Sequence, residues 1–253
     1  MNYLLTFTNL TAQEFITLAI IVFVAGIVRG FSGFALSGLV MATAVIILPP
    51  IALIPMLWWM EMTASLLMMK GGFKDADKPT AYGLVVGSSL GWPIGLALTK
   101  ALPIETSKII ALAIIVTLAL TQLAKIRLAF LATKPGLYGA GLLAGIVSGL
   151  SNVGAMVVAL YVLAADAPAR SMRGSLIVFL FLSSLVSFFI QLAFGVMDLS
   201  GITRGLVFAA PTALGVMIGL RLFVPRFEPY YRPVCLTLLI GLAGVSLIRT
   251  VLT

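Results

Sequence analysis

The chain divides into apolar stretches of 13 to 22 residues that follow one another almost without a soluble interval. They run over 15–28, 35–48, 51–69, 81–99 and 104–123, and then over 138–150, 153–165, 174–194, 202–223 and 233–250. Ten such stretches in 253 residues leave too little polar surface to wrap them in water. Only 9% of the residues are charged while 61% are hydrophobic, against about 25% charged in a soluble domain. Mean hydropathy is +1.18. These values predict an all-α integral membrane protein, with the lipid bilayer as the solvent for its surface.

Several chemistries are excluded by what is missing. There is no histidine, the commonest general base and metal ligand. The single cysteine, Cys235, sits in an apolar run and reads as buried packing. No HExxH pattern occurs, and the one GxSxG match, GSSLG at 87–91, lies inside an apolar helical stretch and not at a strand-to-helix turn. An enzyme is therefore not expected, nor a metal site, nor a cofactor other than a coupling ion such as H+ or Na+. The net charge of +8 reads as cytoplasmic loops facing an anionic leaflet, with no nucleic-acid partner. The first 28 residues hold no Lys or Arg, so no signal peptide is expected.

A spanning helix needs about 20 residues at 1.5 Å each. Three stretches in each half approach that length. The first two of each half have about 13 or 14 residues and reach about 20 Å. They read as the two arms of a helical hairpin that enters the membrane and turns back, its tip shielded by protein or a water-filled cavity. The halves echo one another. "AGIVRGFSGF" at 25–34 returns as "AGIVSGLSNV" at 144–153, and "GWPIGLAL" at 91–98 returns as "GVMIGLRL" at 215–222. A proline, Pro103 or Pro225, follows each second element. The expected fold is two repeats, each a broken or re-entrant hairpin plus three transmembrane helices. Their limits are 1–123 and 137–253, joined by a cytoplasmic linker over 124–136.

A hairpin plus three spans gives an odd number of crossings, so the second repeat is expected to be inverted. The positive-inside rule agrees. With both termini outside, 11 cations fall on the inner side (Lys70, Lys74, Lys78, Lys125, Arg127, Lys134, Arg170, Arg173, Arg221, Arg226 and Arg232). Four fall outside (Lys100, Lys108, Arg204 and Arg249), and Arg29 stands apart. Merging each short pair into one span reduces the best split to 8 against 7.

Inverted repeats with broken helices are a transporter architecture, with the site near the midplane. The second arms begin just after "FSGF" and "LSNV". Helix starts there would offer free N–H groups and a positive dipole to an anion. That makes Ser32, Gly33 and Phe34, and Ser151 and Asn152, candidate substrate-binding residues. The same serines and asparagine would serve equally as plain helix caps. Arg29 lies about 20 Å into its arm and needs a partner there. One partner is a bound anion; the other is Glu61 in "WWMEMTAS", the only acid well inside an apolar stretch. A buried Glu61 could also carry a proton as the coupling group. The second repeat has Ser148 where the first has Arg29, so a positive site would be one-sided. Gln122 and Gln191 read as helix–helix hydrogen bonders. Phe31, Trp58, Trp59, Trp92 and Tyr161 read either as pocket walls or as packing and interface belts.

"AGIVRGFSGFALSGLVMA" at 25–42, "AGLLAGIVSGLSNVGAMVVALYVL" at 140–163 and the later "IGL" elements resemble the sulfite exporter TauE/SafE family of bacterial permeases. The resemblance covers nearly the whole chain as an arrangement, and its specific part is the two glycine-rich repeats. It implies a multi-pass inner-membrane carrier of sulfite, thiosulfate or an organosulfonate, driven by an ion gradient. The family's glycine-rich tips carry over to Gly30, Ser32 and Gly33, and to Gly149, Ser151, Asn152 and Gly154. Many members have a small residue where Arg29 stands and a third glycine where Asn152 stands, which leaves room for a larger or differently charged anion. The cationic inner loops would attract such an anion from the cytoplasm, which favours export. An anion channel using the same tips without ion coupling is the alternative.

Overall fold

The computed structural model describes residues 7–126, 133–164, 169–222 and 228–252. Among the described residues are ten helices of nine residues or more, and no strand. They are α1 Ala12–Ser32, α2 Leu36–Ala44, α3 Pro50–Asp75, α4 Lys78–Ala101 and α5 Ile104–Leu123, followed by α6 Lys134–Ser151, α7 Gly154–Ala164, α8 Ala169–Ala193, α9 Leu199–Leu222 and α10 Glu228–Leu252. Each predicted stretch thus has its helix. Part of the predicted linker, with Arg127, lies outside the described residues, as do Pro225 and Arg226. The side chains of Lys70, Arg170, Arg173 and Arg232 lie outside them too.

Seven of the helices are long and apolar enough to cross a membrane: α1, α3, α4, α5, α8, α9 and α10. The chain is a multi-pass membrane protein. Here the expected arm lengths need correction. The first arms were expected over 15–28 and 138–150, but α1 has 21 residues and α6 has 18. That makes them about 31 and 27 Å long. The second arm of the first half is shorter than expected, with 9 residues, and that of the second half is described over 11.

Local chemistry explains the difference. Thr11, before α1, forms a capping box with Glu14: its Oγ accepts the Glu14 N–H at 3.3 Å, and Glu14 Oε2 accepts the Thr11 N–H at 2.8 Å. "TAQE" thus starts the helix three residues before the apolar run. At the other end the helix continues through Arg29 and Gly30, because both are enclosed by protein. It stops at Gly33, whose φ of 83° is left-handed and whose N–H reaches Arg29 O at 2.9 Å. Thr133 caps α6 with its side chain alone, accepting from Gly136 N at 3.1 Å. Asn152, at φ 56°, ends it.

Glycine rows set the packing. On α4, Gly87, Gly91 and Gly95 face Gly141, Gly145 and Gly149 of α6. A Cβ on Gly91 or Gly95 would strike the carbonyl of Leu142 or Ile146. On α9, Gly215 and Gly219 meet Gly26 and Gly30 of α1 in the same way. Small-residue rows of this kind let helix backbones approach closely in lipid. The outer helices also reach across. Gln122 of α5 donates through Nε2 to Met156 O of α7 at 3.2 Å, and Ser246 of α10 donates to Ala42 O of α2 at 2.6 Å. Gln122 therefore does what the sequence predicted. Gln191 does not: it is fully buried, and neither side-chain amide atom has a hydrogen-bond partner among the described residues. Cys235 is buried in α10, as expected.

Candidate functional site

The two helix breaks meet. Asn152, at the end of α6, donates from Nδ2 to Ser37 Oγ at the start of α2, at 3.2 Å. The Ser37 hydroxyl donates to Glu61 Oε1 at 2.6 Å, and the Ser37 N–H reaches the same oxygen at 3.3 Å. The other oxygen, Oε2, faces Arg29 Nε at 3.3 Å, an ion pair without hydrogen-bond geometry. Arg29 Nη1 donates to Gly33 O, and Nη2 reaches Ser65 Oγ at 3.4 Å. One polar chain thus runs from the tip of the second half, through α2 and α3, to the tip of the first.

Its energetics follow from burial. Arg29 is 0% exposed and Glu61 6%. The net stability of such a pair is small, because desolvation offsets the attraction. Breaking it is another matter, since a lone charge would then be buried. The Glu61 carboxyl also sits at the start of α2, where a positive dipole end and an N–H are offered. The backbone at this tip is strained: Ala35, just before α2, has φ 79°, a conformation that costs a non-glycine residue about 1–3 kcal/mol.

Beside the chain lies a hollow walled by Trp58, Trp92 and Phe179. Its polar lining is Glu61, Ser148, Asn152, Ser183, Ser184 and Ser187. The cavity volume is about 20 Å³, against about 10–15 Å³ for one water. In this conformation it has room for little more than one water, and a sulfur oxyanion needs it to widen. Trp58 is fixed by its Nε1, which donates to Ser184 O at 2.7 Å.

The candidate residues fall into three groups. Glu61 and Asn152 join the polar chain and line the hollow, and Arg29 belongs to the chain but is sealed from the hollow. Ser32, Gly33, Phe34 and Ser151 shape the tips. Ser32 Oγ lies 2.7 Å from Val28 O and 2.6 Å from Phe34 O, Phe34 is buried, and Ser151 Oγ donates to Val147 O at 3.0 Å. Gly30, Gly149 and Gly154 are at close approaches: with the backbone of Gly219 of α9, with that of Gly95 and Leu96 of α4, and with the Ala144 carbonyl and Ser148 hydroxyl of α6. The expected pocket aromatics divide likewise. Trp58 and Trp92 line the hollow. Phe31 packs on Tyr231 with ring centroids 5.0 Å apart, Trp59 packs over Gly205, and Tyr161 is buried.

Sequence reasoning missed Ser37 and Ser65, and the serines of α8. The signal for the latter was "LSSLVS" at 182–187, which puts Ser183, Ser184 and Ser187 on one face at spacings of one, three and four. Chemically the arrangement offers neutral donors, one carboxylate and, behind it, one fixed cation. Among the described residues no group of three or more metal-ligating side chains occurs.

A family model described as "Sulfite exporter TauE/SafE" matches residues 18–247. Comparisons with curated proteins and with solved structures return no match.

Proposed function

The chain belongs to the sulfite exporter TauE/SafE family, and from that premise we propose a secondary transporter that carries a small sulfur-containing anion by alternating access. The family is a membrane transporter family and not an enzyme class. The observation that carries the site is the junction itself. A chain of hydrogen bonds from Asn152 to Glu61 and Arg29 crosses between the two halves, where both helices break and a polar hollow opens. Sulfite or an organosulfonate would bind there, between the breaks, with the Asn152 amide donating to its oxygens. The cycle would export it when its inner concentration is high.

Two inverted repeats, 1–123 and 137–253 with both termini extracytoplasmic, are part of this reading. The helix contacts support it. α4 packs on α6 as α9 packs on α1, α5 holds α7 as α10 holds α2, and α3 meets α8. Exchanging the first five helices with the last five maps this set onto itself. Gly154 against Ala144 supports a folded-back second arm.

The experiment is flux of labelled sulfite, thiosulfate and methanesulfonate in reconstituted vesicles. Asn152→Gly keeps the left-handed backbone and removes only the amide. It should lower flux at least tenfold, with elution and melting temperature close to wild type. Undiminished flux would remove the tips from the site. Sustained anion current with no gradient of H+ or Na+, beyond a carrier's turnover, would identify a channel instead.

A further inference from the structure

We propose that Glu61 is a built-in stand-in for the substrate, which a monoanionic sulfur oxyanion replaces, and that each anion bound places one proton on the Glu61 carboxyl. The inference rests on the transport reading and specifies the charge of what is carried.

The geometry is that of an anion seat already filled. The Ser37 N–H, the Ser37 hydroxyl and the Arg29 guanidinium surround the carboxylate at 3.3, 2.6 and 3.3 Å. Glu61 lines the hollow and Arg29 does not, so an anion arriving through the hollow meets a carboxylate before it meets the cation. Two negative charges side by side inside a membrane protein cannot both persist beside one arginine. Among the described residues, the groups facing Glu61 offer no other counter-charge. From α1 comes Arg29, from α2 Ser37, from α6 and its end Ser148 and Asn152, and from α8 the hydroxyls of Ser183, Ser184 and Ser187. Among the described side chains, those of α4, α5 and α9 that carry charge stand at or near helix ends: Lys78, Lys100, Glu105, Lys108, Arg204 and Arg221. Of these, Lys100 is held on Phe194 O at 2.7 Å, Arg204 on Thr8 O at 2.7 Å, and Lys108 on Glu105 at 2.9 Å.

Charge conservation at the site then fixes the exchange. At rest Arg29 and Glu61 sum to zero. With an anion of charge −1 in the seat and a proton on Glu61, the sum is again zero. A dianion would leave one negative charge over, which selects a sulfonate or a singly charged oxyanion. The neutral carboxyl turns into the hollow, whose serine hydroxyls accept its O–H. The incoming oxyanion inherits Arg29, the Ser37 hydroxyl and the Asn152 amide. By linkage, protonation and anion binding reinforce each other equally.

Methanesulfonate tests this, because its own charge does not change with pH. Purified protein in detergent, lightly buffered and followed with a pH-indicator dye, should take up one proton per methanesulfonate bound. Its Kd should weaken about tenfold for each unit rise in pH while free Glu61 is ionised, since each decade of proton activity counts once. Glu61→Gln should bind with no pH slope and no proton uptake. Wild-type binding without proton uptake overturns the proposal and leaves transport standing, and this measurement decides even if the variant does not fold. A full pH slope retained in Glu61→Gln overturns it as well. Folded wild-type protein that binds none of methanesulfonate, sulfite and thiosulfate overturns the transport reading, and the proposal with it.

Discussion

At the scale of single residues, the Arg29–Glu61 pair decides most. Arg29→Met strips a buried carboxylate of its counter-charge and should cost about 3–5 kcal/mol. Arg29→Met combined with Glu61→Gln leaves no charge behind and should recover most of that loss. Thermal unfolding of the two variants in detergent checks both statements; a single variant as stable as wild type would mean the pair does not matter to the fold. The pair was one of two partnerships legible in the sequence, because a chain with one deep arginine and one deep acid offers few others. Ser37 and Ser65 were not legible. A serine in an apolar helix has the same neighbours in sequence whether it faces lipid, a helix or a carboxylate. Asn152 was read from its matched position and from the family resemblance, and its partner, Ser37, is 115 residues away.

At the scale of helices, the recurring motifs turn out to address each other. "AGIVRGF" does not pack on the "IGL" element of its own half; Gly30 meets Gly219, and Gly149 meets Gly95. Sequence alone showed that these elements recur and could not show which copy faces which, since self-pairing and cross-pairing use identical glycines. The consequence is a sharp ranking of glycines. Gly91→Val or Gly95→Val would drive a side chain into a carbonyl of α6, and should abolish the monodisperse folded protein in detergent. Gly241 and Gly244 of α10 have nothing within 4 Å of an added Cβ. Alanine there should leave the melting temperature unchanged or slightly raised, because alanine is the better helix former. Helix starts were misjudged for a separate reason. Apolar runs mark what is buried in lipid, whereas "TAQE" and Thr133 begin helices among exposed residues.

At the scale of the molecule, all ten predicted stretches became helices because composition and length constrain a lipid-embedded chain strongly. The polar hollow was legible only in outline. Its walls come from α3, α4, α6, α7 and α8, and no local pattern reports a surface assembled from five separate segments. The reciprocal clasp of α4 on α6 and of α9 on α1 has a bearing on how such a molecule is made. Each part completes the other and neither can complete itself. A gene severed within 127–132 should yield two fragments that are degraded when expressed singly, their glycine furrows open to lipid. Expressed together, they should copurify as a stoichiometric pair with transport restored. Ribosome-order assembly would then stay provisional until α9 emerges, for only its arrival closes the furrow on the first helix that was made.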